Sequence, residues 1–384
     1  MGTIVAYKEL LAFGEFVDNK LLLRGKVLIE KTAAESMQCI RVSSIGYYTG
    51  EVAPKISFLL TLEGQSKPLY QSHSYRIGKK DEKTLQSFRV PPMLSHNMTF
   101  GILIDIPEGT ELYIENFCAE YEQSYCKWNG DGPRHNAHLG FWGIAPNNTM
   151  PAFELAAMCG FPACICVPKW TKDGVLVCIH DDTINKTARD SDGKKEEEPI
   201  YVWDRTYDEL CRYEYGSYKN EVYKGTKMPL LEDFFKLCAK TGMTPMFSTH
   251  PGLSVEQWQE VKAMLKRYGL LKKFHIKSFG FGVLKTAISV FGDEIDGYTW
   301  DNDDVTEEKV ENLKELTSEL SSRVGIEIQF DLYTKEKAEM ITSAGFFAAA
   351  WNIKRRDFDE YERLYSYGVT EFTEDFHCSM GLNY

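Results

Sequence analysis

Beyond Asn136 the sequence repeats one phrase, a short apolar run followed by an amphipathic stretch, and this alternation constrains the fold more than any other feature. MPAFELAAMCG (Met150–Gly160) carries apolar residues at helical spacing and leads into CICVPKW and VLVCIH, two runs with the composition of strands. PLLEDFFKLCAKTG (Pro229–Gly242) opens on a proline and closes on a glycine, as helices often do, and precedes TPMFSTH. SVEQWQEVKAMLKRYG then precedes FHIKSFGF, TEEKVENLKELTSEL precedes GIEIQFD, KEKAEMITSAG precedes FFAAAWNI, and DFDEYERLYSYG precedes VTEFTED. Strand followed by helix, repeated over roughly 250 residues, predicts an α/β fold closed as a (β/α)8 barrel. An open doubly wound sheet is the competitor, but no Gly-x-Gly-x-x-Gly turn favours it.

From Leu21 to about Tyr121 the grammar differs. LLLRGKVLIEK, QCIRVSSIGYY, KISFLLTLE and ELYIENFCAEY are short alternating runs separated by Gly, Pro, Ser or charged clusters, the signature of a β-sandwich or jelly roll. KWNGDGPRHN (Lys127–Asn136) reads as the linker. We therefore expect an accessory β-sandwich over residues 1–126 and the barrel over 127–384. The polar insert DSDGKKEEEP (Asp190–Pro199) reads as a solvated loop over the barrel mouth.

Composition removes several classes of function. No apolar run is long enough to span a bilayer, and MGTIVAYKELLAFGEF lacks the basic head and apolar stretch of a secretory signal, so the expected compartment is cytoplasmic. Ten cysteines scattered through a long chain read as buried thiols, the reading for Cys39, Cys118, Cys211 and Cys238. A net charge of −12 argues against a protein that holds nucleic acid by neutralising many phosphates, while leaving room for a local pocket that takes one phosphate.

The run HLGFWGIAPNNTMPAFELAAMCGFPACICVPKWTKDGVLVCIHDDTINKT resembles the opening of the glycerophosphodiester phosphodiesterase family, in which His-Arg-Gly, Pro-Glu-Asn-Thr, a helix, Glu-x-Asp on a strand, Thr-Lys-Asp-Gly and His-Asp-x-Thr follow in order. The likeness continues through WDRTYDELCRYEYGS and YKGTKMPLLEDFFKLC to AAAWNIK and YGVTEFTED, and so covers Arg134 to about Phe376. It implies a phospholipase-C-like TIM barrel in which three carboxylates hold a divalent metal, an arginine adds positive charge, and two histidines serve as general acid and base. The resemblance places those histidines at His138 and His180, the latter followed by Asp181.

The departures concern the metal site. The arginine after the first histidine is Leu139, and the glutamate of Pro-Glu-Asn-Thr is Asn147. The Glu-x-Asp pair is aligned with Cys164 and Cys166, on a strand one residue longer before Thr171 than the family pattern; Ser248 is aligned with a later glutamate and His250 with a lysine. Mg²⁺ and Ca²⁺ prefer oxygen ligands and thiols suit them poorly, so a hard-metal site is not expected and the cofactor expectation is none.

Three readings follow. One is a phosphodiester hydrolase that works by histidine acid/base chemistry without Mg²⁺ or Ca²⁺, drawing positive charge from His250, Lys169, Arg134 or Lys277, as bacterial phosphatidylinositol-specific phospholipase C does with an arginine. A second is a degenerate barrel that binds a phosphate or glycan headgroup without cleaving it. A third places Zn²⁺ on Cys164, Cys166 and His250, since residues two apart on a strand share a face. Against these stand plainer readings: the two cysteines as small apolar filler, the histidines as buried and internally satisfied, Asp181 as a turn cap, Trp351 as core rather than pocket wall. His135 and His377 read as surface residues. Ser248 lacks the Gly-x-Ser-x-Gly elbow of a nucleophile. The expected partner is a small phosphodiester or phosphate ligand, with a glycan on the N-terminal domain as a further option suggested by GTELYIENFCAEY.

Overall fold

The computed structural model describes residues 5–6, 14–17, 20–27, 39–72, 75–81, 84–90, 98–122, 132–249, 252–353 and 358–375. The chain divides into two compact units, one of Met1–Ser124, Arg355–Glu362 and Phe376–Tyr384, the other of Tyr125–Lys354 and Arg363–Asp375. Half of the stretch read as linker, 127–131, lies outside the described residues, and its last three residues, Arg134 to Asn136, already form the barrel's first strand.

The first unit is all β. One sheet runs Val5–Ala6, Glu111–Glu122, Cys39–Thr49, Thr84–Val90; the other runs Gly14–Val17, Lys20–Val27, Met98–Asp105, Lys55–Leu62, Tyr70–Gln71, with Tyr75–Arg76 also on Lys55–Leu62. Among the described residues the strands named here pair antiparallel. Ile56, Phe58, Leu60 and Leu62 put buried apolar side chains on one face of a strand, while Ser57 and Thr61 on the other face are buried too.

The second unit is a closed eight-stranded parallel barrel: β1 (Arg134–Ala137), β2 (Ala163–Cys166), β3 (Thr244–Ser248), β4 (His275–Ser278), β5 (Gly297–Asp301), β6 (Arg323–Gln329), β7 (Phe347–Ile353) and β8 (Val369–Glu374), each paired with its neighbours and β8 with β1. Helices follow the strands: α1 (Met150–Met158) after β1, α2 (Leu231–Thr241) before β3, then α3 (Val255–Arg267), α4 (Phe281–Phe291), α5 (Glu307–Thr317), α6 (Lys335–Ser343) and α7 (Phe358–Ser366). Their ends follow local chemistry. Ser254 and Gln257 form a reciprocal capping box at the start of α3, and Gly242 closes α2 in a left-handed conformation at φ 79°.

Between β2 and β3 the chain makes a hairpin, Pro168–Trp170 with Leu176–Cys178, and then a long loop region packed on its own apolar cluster around Val177, Ile179, Ile184 and Tyr215. The insert at Asp190–Pro199 is mostly exposed, and Asn185 Nδ2 pins it by donating to the carbonyls of Glu196 and Glu198.

Inside the barrel, polar groups gather in two tiers. At the strands' N-terminal end Arg134 pairs with Asp296 (3.3 Å) and Glu371 (3.6 Å), Arg323 pairs with both carboxylates, and His275 places Nδ1 3.1 Å from Asp296. Higher up, Lys277 of β4 is fully enclosed by Glu327 of β6, Asp301 of β5 at 3.8 Å, and the Thr373 hydroxyl of β8 at 2.9 Å. Buried charges survive only when paired in this way.

Candidate active site

Barrel strands deliver functional side chains at their C-terminal ends, where the loops converge. At the end of β1 the chain turns through Leu139 (φ 56°) and Gly140 (φ 83°). A side chain at Gly140 would meet Ala152 of α1 at 2.5 Å, so the glycine is what lets this turn close onto the helix. The turn projects His138, whose Nδ1 lies 2.8 Å from Asp375 Oδ1, just past β8. Two backbone bonds fix the pair: His138 N–H donates to the Glu374 carbonyl at 3.0 Å and Gly143 N–H to the Asp375 carbonyl at 2.8 Å. The Trp142 ring meets the imidazole edge-on at 5.6 Å.

His180 follows the hairpin, is half exposed, and holds its Nδ1 2.7 Å from Asp181 Oδ1. The bond from His180 draws the Asp181 carboxyl below its usual range, with burial opposing and Lys186, 3.6 Å away, assisting. A carboxylate can only accept, so each imidazole must donate from Nδ1, which leaves Nε2 as the lone-pair nitrogen able to take a proton.

Two residues that no sequence pattern singles out join these loops. Tyr218 accepts the Asn147 N–H at 3.0 Å, and burial raises its pKa to about 12, the nearby Asp181 charge adding to the effect. Its neighbour Lys219 donates from Nζ to the Trp142 carbonyl at 2.6 Å, across 77 residues of sequence. Neither lies in a quoted motif, whereas Trp142 and Asp375 lie inside HLGFWGIAPNNT and YGVTEFTED without being marked there as site residues.

Cys164 and Cys166 do not face the barrel mouth. Their strand alternates, and its interior face carries Ala163, Ile165 and Val167, packed with Leu139 and Met246. The thiols point outward toward Cys178 of the hairpin and Cys238 of α2, fully buried, and burial pushes both well above the ordinary thiol range. Setting the family's carboxylate pair at Ile165 and Val167 also removes the surplus residue before Thr171. In that register the positions that the resemblance gives to oxygen donors carry aliphatic side chains. These inward residues do not fit a hard divalent cation, and among the described residues no group of three or more His, Cys, Asp or Glu is placed to hold a metal.

The remaining predicted residues are scattered. Ser248 ends β3, in register with Lys277, and His250 lies outside the described residues. Trp351 of β7 donates its indole N–H to the Asn302 carbonyl at 3.0 Å and meets Phe279 edge-on at 5.4 Å. Of the cations expected to replace a metal, Arg134 sits at the opposite end of the barrel, Lys277 is enclosed by carboxylates, and Lys169 is 2.7 Å from Asp182. His135, read as a surface residue, is buried with Nδ1 2.6 Å from Glu374.

Comparison with known proteins agrees with this architecture. The profile of the Glycerophosphoryl diester phosphodiesterase family matches residues 138–377. YhdW of Bacillus subtilis, provisionally named a glycerophosphodiester phosphodiesterase, is 31% identical over 147 residues, 38% of this chain and 56% of that protein. The glycerophosphodiester phosphodiesterase of Bacillus altitudinis is 30% identical over 158 residues, 38% of this chain and 58% of its own. The chain thus spans little more than half the length of these curated relatives. Among solved structures, an Oleispira antarctica phosphodiesterase in complex with the product sn-glycerol-3-phosphate superposes with a TM-score of 0.56 at 22% identity, covering 65% of this chain and 95% of that one. The Agrobacterium tumefaciens glycerophosphodiester phosphodiesterase gives 0.52 at 17%, covering 65% and 99%.

Proposed function

Since the chain belongs to the glycerophosphoryl diester phosphodiesterase family, we propose that it is a phosphodiester hydrolase that acts on a glycerophosphodiester through His138 and His180 without a divalent metal. The observation that carries this reading is the pair of imidazoles at the barrel's C-terminal face, each tied through Nδ1 to its own aspartate. One Nε2 takes the proton from the glycerol hydroxyl beside the phosphate as that oxygen attacks phosphorus. The protonated partner gives its proton to the departing alkoxide, so a cyclic phosphate and a free alcohol result and net charge is conserved. Water then opens the ring with the roles reversed. Aliphatic side chains at Ile165 and Val167 support the metal-independent form of the reaction. They also favour a second reading, a barrel that binds the headgroup without cleaving it, and the product bound by the Oleispira protein suggests glycerol 3-phosphate as the probe.

The test is release of glycerol 3-phosphate from glycerophosphocholine with and without EDTA. We expect turnover indifferent to EDTA, falling about 10²- to 10⁴-fold in His138→Ala and His180→Ala. Activity abolished by EDTA and restored by Ca²⁺ would overturn the metal-free reading. No turnover together with thermal stabilisation by glycerol 3-phosphate would establish the binding-only reading instead.

A further inference from the structure

A phosphodiester brings a full negative charge into its site, and attack at phosphorus spreads more over the oxygens, so a cation must meet it. The inward residues of β2 and β3 that pack together, Ala163, Ile165, Val167 and Met246, recruit none, and of the cations expected from sequence the three among the described residues are committed elsewhere: Arg134 to Asp296 and Glu371, Lys277 to Glu327, Lys169 to Asp182. Lys186 pairs with Asp181 from an exposed position. Lys219 differs from all four. Among the described residues it has no carboxylate at ion-pair distance, and its single hydrogen bond goes to a neutral carbonyl, that of Trp142.

We infer that Lys219 is the anion-binding residue of this site, its ammonium meeting the substrate phosphate beside His138. The inference rests on the phosphodiester reading above. An ammonium has three N–H groups, so the bond to Trp142 leaves two for phosphate oxygens. Trp142 packs against His138, and His138 is bonded to Asp375, whose charge also acts on Lys219. Burial pulls the Lys219 pKa down, and Asp375 opposes that pull. Tyr218, one residue earlier, is anchored by the Asn147 N–H, so the segment that carries the ammonium is tied to the β1–α1 loop at two points. A half-buried lysine held by a carbonyl is desolvated enough to bind an anion strongly, and it lacks the internal carboxylate that would compete.

Lys219→Gln keeps a donor for the Trp142 carbonyl and removes the charge; Lys219→Arg keeps the charge. Calorimetric titration with glycerol 3-phosphate is expected to show affinity weakened about 10- to 100-fold in K219Q, with K219R within a few-fold of wild type. The thermal midpoint of unliganded K219Q should stay at the wild-type value, which separates lost charge from lost folding. Binding to wild type should weaken with added salt, and this dependence should flatten in K219Q. Wild-type affinity in K219Q, or no binding of glycerol 3-phosphate by wild type at all, would overturn the inference. If wild type hydrolyses no diester yet its glycerol 3-phosphate affinity falls in K219Q, the hydrolase reading fails and this one stands. If wild type hydrolyses glycerophosphocholine and K219Q matches it in KM, the reverse holds.

Discussion

Asp375 and Asp181 do the same work for different imidazoles: each accepts from Nδ1–H and so leaves Nε2 as the nitrogen that takes or gives the proton. The two are reached differently. Asp181 is the next residue after His180, whereas Asp375 comes from 237 residues along the chain and is positioned by the Gly143 N–H. Replacing Asp375 by asparagine should leave the loop bonds intact, because they run through the backbone carbonyls of Glu374 and Asp375, while offering Nδ1 an amide that can present either a donor or an acceptor. We expect kcat for glycerophosphocholine to fall at least about 10²-fold with KM little changed, measured by glycerol 3-phosphate release across a pH series. An unchanged rate in Asp375→Asn would mean that this carboxylate does not set the histidine.

Among the elements, β2 decides the most. Four residues, Ala163 to Cys166, form a fully buried strand in which the thiols belong to the layer between barrel and helices and the aliphatic residues to the interior. A strand covered on both faces has no polar side to reveal its orientation, so a one-residue shift in reading exchanges interior for exterior. In peptide mapping by mass spectrometry, native protein treated with a thiol reagent should leave Cys164, Cys166, Cys178 and Cys238 unmodified, since all four are buried. Cys166→Ser should lower stability by about 1–3 kcal/mol in urea unfolding, the cost of a hydroxyl in an apolar layer, without altering turnover. Loss of activity at intact stability would put the thiol back in the site.

Across the whole barrel, the charges divide by height. In the upper tier Lys277 is paired with Glu327, while burial pushes the Asp301 carboxyl up toward its neutral form, and the lower tier closes the strands' N-terminal end with Arg134, Arg323, His275, Asp296 and Glu371. Burial works against the ionised Asp296, yet His275, Arg134 and Arg323 together hold its carboxyl far below the usual aspartate range. A depressed folded pKa means that the stabilisation is fully present above the ordinary value of 3.8 and is lost as pH falls toward the folded value. The thermal midpoint should therefore drop steeply below about pH 4, and the drop should be shallower in Asp296→Asn, by calorimetry across pH. Parallel curves for the two proteins would remove Asp296 from this role.

By itself the sequence determined the strand–helix succession, because hydrophobic period is a local property that each segment carries alone. It also placed His138 and His180 at the ends of strands, since the His-Leu-Gly turn and the Thr-Lys-Asp-Gly hairpin that position them are written in adjacent residues. Tertiary structure decided what could be read only across the barrel: that Ile165 and Val167 face inward, that Arg134 serves the far end, that Asp375 returns to His138, and that Lys219 reaches the Trp142 carbonyl. Register and long-range pairing depend on where other strands and loops lie, and a linear pattern of residue types does not encode that position.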